Sequence, residues 1–283
     1  MIFSRKDVAH KSIGSQPGKR GKRVITFAVD KRQKFVLGVV VLSTMLFFSE
    51  YQFAKSGIIV ASVIAIVTDL VLYWAVKDDL QDNFSWSVFT LPFFYSLAFA
   101  LFYFLIPTRL LFRLILTLVY AFGLYSLYLS KNIFIVSSIR TIALLSGARI
   151  VSFILTLLSY FFLTNTLFSL HQSIFISIPL LVGYTFPLVY QSLWSYNLQK
   201  GSVSLVQWAA VITLCIVELA CIAWYWPSSP TVIALFLAGI LYTMVGLSHV
   251  WFDKRLFRNV MWEYVWVGVI VFFVLLLFTS WGK

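Results

Sequence analysis

Apolar residues run along this chain in long unbroken blocks, separated by short polar breaks. Phe35–Phe48 and Val265–Phe278 are typical, and neither alternates apolar with polar positions. Blocks of about twenty such residues match the hydrocarbon thickness of a bilayer. Inside lipid every backbone N–H and C=O must bond within the protein, which leaves helices or a closed barrel. Barrel strands would alternate, so the pattern predicts helices. The breaks set nine spans at about 35–53, 57–76, 84–106, 109–129, 148–169, 173–193, 203–226, 231–251 and 264–281. Ahead of them, residues 1–34 are polar and basic, and Gly14, Pro17, Gly18 and Gly21 favour a flexible tail. Pro92, Pro179 and Pro187 fall within spans, where neighbours can satisfy the freed carbonyls, while Pro107, Pro227 and Pro230 mark tight turns. The expected fold is an all-α, polytopic transmembrane helix bundle.

Composition agrees. Hydrophobic residues make up 61% and charged residues 11%, far from the usual soluble balance. The net charge of +12 raises the possibility of nucleic acid, but its placement points to topology. With the N-terminus inside and the C-terminus outside, the inner segments hold all of the 22 Lys and Arg except Lys55, Arg109, Arg113 and Lys283. No nucleic-acid partner is expected. The tail is expected either to bind anionic lipid or only to fix orientation. Trp74, Trp86, Trp194, Trp224, Trp226, Trp251, Trp262 and Trp281 fall at span ends, as an aromatic belt requires. Leu80-x-x-Asn83-x-x-Trp86 and Leu256-x-x-Asn259-x-x-Trp262 echo one another on the inner side. A bacterial cytoplasmic (inner) membrane is the expected location, since the tail contains Asp7 and Asp30 and lacks a transit-peptide pattern.

Two acids lie well inside spans. Asp69 is in the inner half of the second and Glu218 in the outer half of the seventh. A charged carboxylate near the bilayer centre costs about 2.5–3.5 kcal/mol, so each is expected to be buried against the bundle. Each is either a proton or cation relay or a substrate contact, or a carboxyl satisfied by a neighbouring helix hydroxyl or a basic side chain.

Asp78-Asp79-x-x-Asp82 gives three carboxylates at a membrane surface, able on a helix to hold Mg²⁺ against a diphosphate. With nine spans and this motif after span two, the chain resembles intramembrane prenyltransferases. That resemblance implies a Mg²⁺-dependent enzyme handling polyprenyl diphosphates. The second motif such enzymes carry is missing, because Trp194–Ser202 holds no acid. A solvated acidic turn is the other reading.

Between spans four and five, Ile133, Val136, Arg140, Leu144 and Gly147 recur at helical steps. This predicts an amphipathic inner-surface segment over 132–147. Arg140 and Arg149 could there contact a phosphate or lipid headgroup, or simply snorkel. Asn132-Ile-Phe-x-Val-Ser-Ser-Ile-Arg140-Thr-Ile resembles a block in an uncharacterised bacterial multi-pass membrane family, a resemblance that implies no activity.

Other candidates carry less. His171 and His249 are expected as interfacial polar residues, and Cys215 and Cys221 lie on different faces of one helix. Asn83-Phe-Ser85 matches a glycosylation acceptor but falls on the inner side. No nucleotide, hydrolase or zinc-protease motif is present. The expectation is a non-enzymatic membrane protein without cofactor, either a transporter-like bundle or a membrane-assembly subunit with protein partners. The alternative is the Mg²⁺-dependent enzyme at the inner surface.

Overall fold

The structure is a computed structural model that describes residues 31–53, 57–80, 85–105, 110–137, 144–197, 203–254 and 257–280. Among these residues it forms nine α-helices and no strand: α1 (Lys31–Phe53), α2 (Gly57–Leu80), α3 (Ser87–Leu105), α4 (Leu110–Ser137), α5 (Leu145–Ser169), α6 (Ile174–Asn197), α7 (Val203–Trp224), α8 (Pro230–Phe252) and α9 (Arg258–Leu277). All nine are long and apolar enough to cross a membrane, as a multi-pass membrane protein requires. Only a few residues connect each helix to the next, so successive helices run antiparallel.

Polar side chains inside the spans are largely satisfied by their own helix. The hydroxyls of Thr156, Ser159, Thr166 and Thr213 each donate to the carbonyl four residues back, at 2.7–2.8 Å. Pro92 sits inside α3, and Pro179 and Pro187 inside α6, without ending either helix.

The helices differ from the expected spans chiefly at polar ends. Helix α1 starts at Lys31, inside the expected tail, and α9 starts at Arg258 rather than 264. Interfacial turns tolerate Lys, Arg and Asn, so hydropathy marks the lipid boundary and not the helix end. The amphipathic segment expected over 132–147 is described only at its two ends. Residues 132–137 continue α4, and Leu145–Gly147 open α5. Residues 138–143, with Arg140, lie outside the described residues, as do 1–30 and Asp82.

Helix α5 is the most buried span and packs against α3, α4, α6 and α8, whereas α9 is the least buried and leans on α8. Small residues permit the close approaches. A Cβ at Gly239 would come within 2.6 Å of Val271, and one at Gly123 would overlap the Tyr95 hydroxyl. One end of the bundle collects Lys34, Lys77, Arg149 and Lys254. There the Lys34 ammonium lies 5.1 Å above the Trp74 ring, joining α1 to α2. At the opposite end Trp226 Nε1 donates to Thr279 Oγ1 at 2.7 Å. Of the belt tryptophans, Trp74, Trp86, Trp251 and Trp262 are exposed, but Trp194 is buried edge-on against Phe134.

Candidate functional site

The inner surfaces of α2, α3 and α4 are tied by a chain of hydroxyls. Thr68 Oγ1 lies 2.8 Å from Ser96 Oγ, which lies 2.9 Å from Tyr120 Oη. Tyr128 Oη donates to the Thr68 carbonyl at 2.9 Å, and Tyr95 Oη donates to the Tyr120 carbonyl at 3.2 Å. The Tyr95 and Tyr120 rings stack at 5.7 Å. These side chains lie on buried helix faces because their spacing along α4, Tyr120, Leu124, Leu127 and Tyr128, follows the three- and four-residue helical step.

The same step carries on to Lys131. Its side chain is 0% exposed, and its Nζ has no hydrogen-bond partner. It lies over the ring of Phe134, 5.4 Å away on the same helix. The acid acting on this lysine is Asp69, next to Thr68 on α2, and the two act on one another electrostatically. Asp69 Oδ1 is buried and also lacks a hydrogen-bond partner. The two groups therefore interact electrostatically without a direct hydrogen bond. A buried ion pair usually offsets its desolvation only when the geometry is close.

Asp69 is only half-buried, because its other side lines a cleft of about 590 Å³ between α2, α3 and α6. Tyr73, Phe89, Phe93 and Phe94, with Trp86 just before α3, give the cleft aromatic walls, and Pro187 contributes from α6. Among the described residues Asp69 is its one charged lining residue, and Thr90 brings a hydroxyl. Ile66, Leu70 and Tyr73 are 52%, 60% and 50% exposed, so the cleft opens on the flank of the bundle.

A second polar cluster closes the Lys77 end. Arg149 Nε donates to the Ser195 carbonyl at 3.1 Å and Nη2 to the Tyr196 carbonyl at 3.0 Å, capping α6. Its Nη1 stands 3.9 Å from Asp253, and its guanidinium lies over the Tyr196 ring at 4.7 Å. The far face of that ring stacks on His249 at 3.8 Å. His249 Nε2 lies 3.2 Å from both Ser192 Oγ and the Ser192 carbonyl. Arg149 is thus an internal brace of α5, α6 and α8, and its Nε and Nη2 donors are occupied. His249, expected at the interface, is 3% exposed and belongs to the packed interior.

The remaining candidates separate. Glu218, expected to be buried, is exposed on α7. It shares that face with Val211, Leu214 and Ile222, while Ala209, Thr213, Ile216 and Ala220 turn inward. Small residues mark the packed side of a membrane helix, and Glu218 lies opposite them. Asp78 and Asp79 lie in the last turn of α2 with side chains outside the description. Among the described residues no three of His, Cys, Asp or Glu are grouped to hold a metal. His171 sits exposed in the α5–α6 turn at φ 46°. Lys131, expected just beyond the span at 109–129 among the inner basic residues, lies inside α4. Its register with Tyr120 and Tyr128 was the signal that places it inside.

The sequence model of a family described as "Protein of unknown function (DUF5656)" matches residues 55–278, and the chain belongs to that family. No curated protein and no solved structure matches the chain.

Proposed function

We propose that this member of the family is a transporter-like bundle of a bacterial cytoplasmic membrane, operated by Asp69 and Lys131. The observation that carries the reading is the position of Asp69. One oxygen is buried without a partner where Lys131 acts on it, and the side chain also lines a cleft open to the flank. A bundle that needed only packing would be as stable, or more so, with apolar residues at both positions. Whatever neutralises Asp69 from the cleft changes the field at Lys131. Such differential interaction is what links a ligand to a change of conformation. The basic segments face the cytosol in this reading, and the tail binds anionic lipid there.

A second reading, a subunit of a membrane assembly, is favoured by Glu218. An exposed carboxylate on an apolar helix face is costly in lipid and is relieved by a partner helix carrying a base or a hydroxyl. The Mg²⁺-dependent enzyme needs Asp79 and Arg140 in one cavity, and no described residue favours it.

The test is ion movement. The full chain in proteoliposomes with an internal pH dye, challenged with a panel of small solutes, should give solute-evoked pH changes. Asp69→Asn and Lys131→Met, reconstituted in equal amount, should give none. Unchanged signals in Asp69→Asn would remove the assigned role.

A further inference from the structure

We infer that the cleft at Asp69 binds a lipophilic monovalent cation, an organic ammonium or phosphonium carried on a hydrophobic body, entering from the lipid. The inference rests on Asp69 being the operating residue proposed above and adds the class of ligand. Three features of the cleft select that class. Its one charged lining residue among those described is a carboxylate, which repels anions and gives a neutral hydrocarbon nothing beyond what a plain groove would. Its walls are five aromatic rings, whose faces attract cations as well as hydrophobic bodies. Its volume of about 590 Å³ suits a small organic molecule rather than a metal ion or a peptide.

Access follows from exposure. Ile66 and Leu70 lie mid-span on α2 and are more than half exposed, so the mouth reaches hydrocarbon along the flank of the bundle. A strongly hydrated cation would not arrive by that route. A cation with a greasy body partitions into the bilayer first and meets Asp69 afterwards. Lys131 does not compete for the cleft itself, because it is fully buried and is not among the lining residues. A cation arriving on the open side of Asp69 draws the carboxylate's charge away from the lysine on its closed side. Binding and the internal pair are thereby linked.

The probe is tetraphenylphosphonium, with tetraphenylborate as a ligand of the same shape and opposite charge. Radiolabelled tetraphenylphosphonium should bind the full chain in nanodiscs saturably at one site, and tetraphenylborate should not compete. Asp69→Asn should weaken binding roughly tenfold or more, and Phe93→Ala severalfold, while Asp69→Glu keeps most of it. Retention by Asp69→Glu separates loss of charge from loss of fold. Repeating the titration with and without phosphatidylethanolamine separates sources. Suppression by the aminolipid identifies a lipid ammonium as the resident cation and equal binding identifies a free one, and either upholds the class.

Absent saturable binding, equal affinity for the anion, or undiminished binding in Asp69→Asn would overturn the inference and leave a groove filled by acyl chains. Asp69-dependent binding without solute-evoked flux keeps the site and removes the transport reading. Flux without phosphonium binding does the reverse.

Discussion

The Tyr128 hydroxyl donates to the Thr68 carbonyl at 2.9 Å, fixing α4 against α2 at the residue next to Asp69 and one turn before Lys131. The donor is buried, and its acceptor already lies within a helix, so this bond sets register more than it saturates a need. Tyr128→Phe should therefore cost about 0.5–1.5 kcal/mol. Tyr128→Ala should cost about 3–5 kcal/mol through the cavity it leaves against Phe35, 5.8 Å away. Thermal unfolding in nanodiscs checks both, and equal losses would mean that the hydroxyl, not the ring, holds the contact.

Gly123 and Gly147 make a matched pair. A Cβ at Gly123 would overlap the Tyr95 hydroxyl, whereas nothing lies within 4 Å of one at Gly147. Gly123→Ala should destabilise by about 1–3 kcal/mol as Tyr95 is pushed from the Tyr120 carbonyl. Gly147→Ala should be neutral or stabilising by up to about 1 kcal/mol, because it removes a helix glycine. The same melting measurement checks the contrast, and a reversed order would contradict the packing of α3 on α4.

Arg149→Lys should lower stability by about 1–2 kcal/mol, since a point charge cannot reach the Ser195 and Tyr196 carbonyls and cover the Tyr196 ring at once. Asp253→Ala should change little, about 0–1 kcal/mol, because Asp253 is 40% exposed and stands 3.9 Å away. Hydrogen exchange at the end of α6 should rise in Arg149→Lys and stay unchanged in Asp253→Ala. Equal effects would mean that the ion pair, not the carbonyl cap, is the brace.

Orientation is tested with reporters. Alkaline phosphatase fused after Lys283 should be active and one inserted between α2 and α3 inactive, given the clustering of basic residues. Activity in the second fusion alone would reverse the assignment of sides.

Much of this fold was legible because lipid imposes one rule on every span. Blocks such as Val265–Phe278 needed only length and apolarity to be read as helices. Helix ends were less legible, since Ser130-Lys131-Asn132 looks like an exit from lipid yet lies inside α4. Depth and direction also differ in what reveals them. An acid in an apolar block reports depth, so Asp69 and Glu218 looked alike. Only the face of the helix separates them, and on α7 the inward stripe of Ala209, Thr213, Ile216 and Ala220 carried that information. The link between Asp69 and Lys131 spans two helices, and no local pattern encodes it. His249 shows the same limit, being polar, close to a helix end and still packed against Tyr196 and Phe153.

The account depends most on Asp69 and Lys131 acting as one unit, and a double-mutant cycle measures that directly. Asp69→Asn, Lys131→Met and the double variant, each as the full chain in nanodiscs, would be compared with the parent by thermal unfolding. Asp69→Asn strands a fully buried lysine and Lys131→Met leaves a half-buried carboxylate without its countercharge, so each should destabilise, and the double variant should recover about 1–3 kcal/mol relative to the sum. Strictly additive losses would contradict the pairing, and with it the centre on which the functional reading is built.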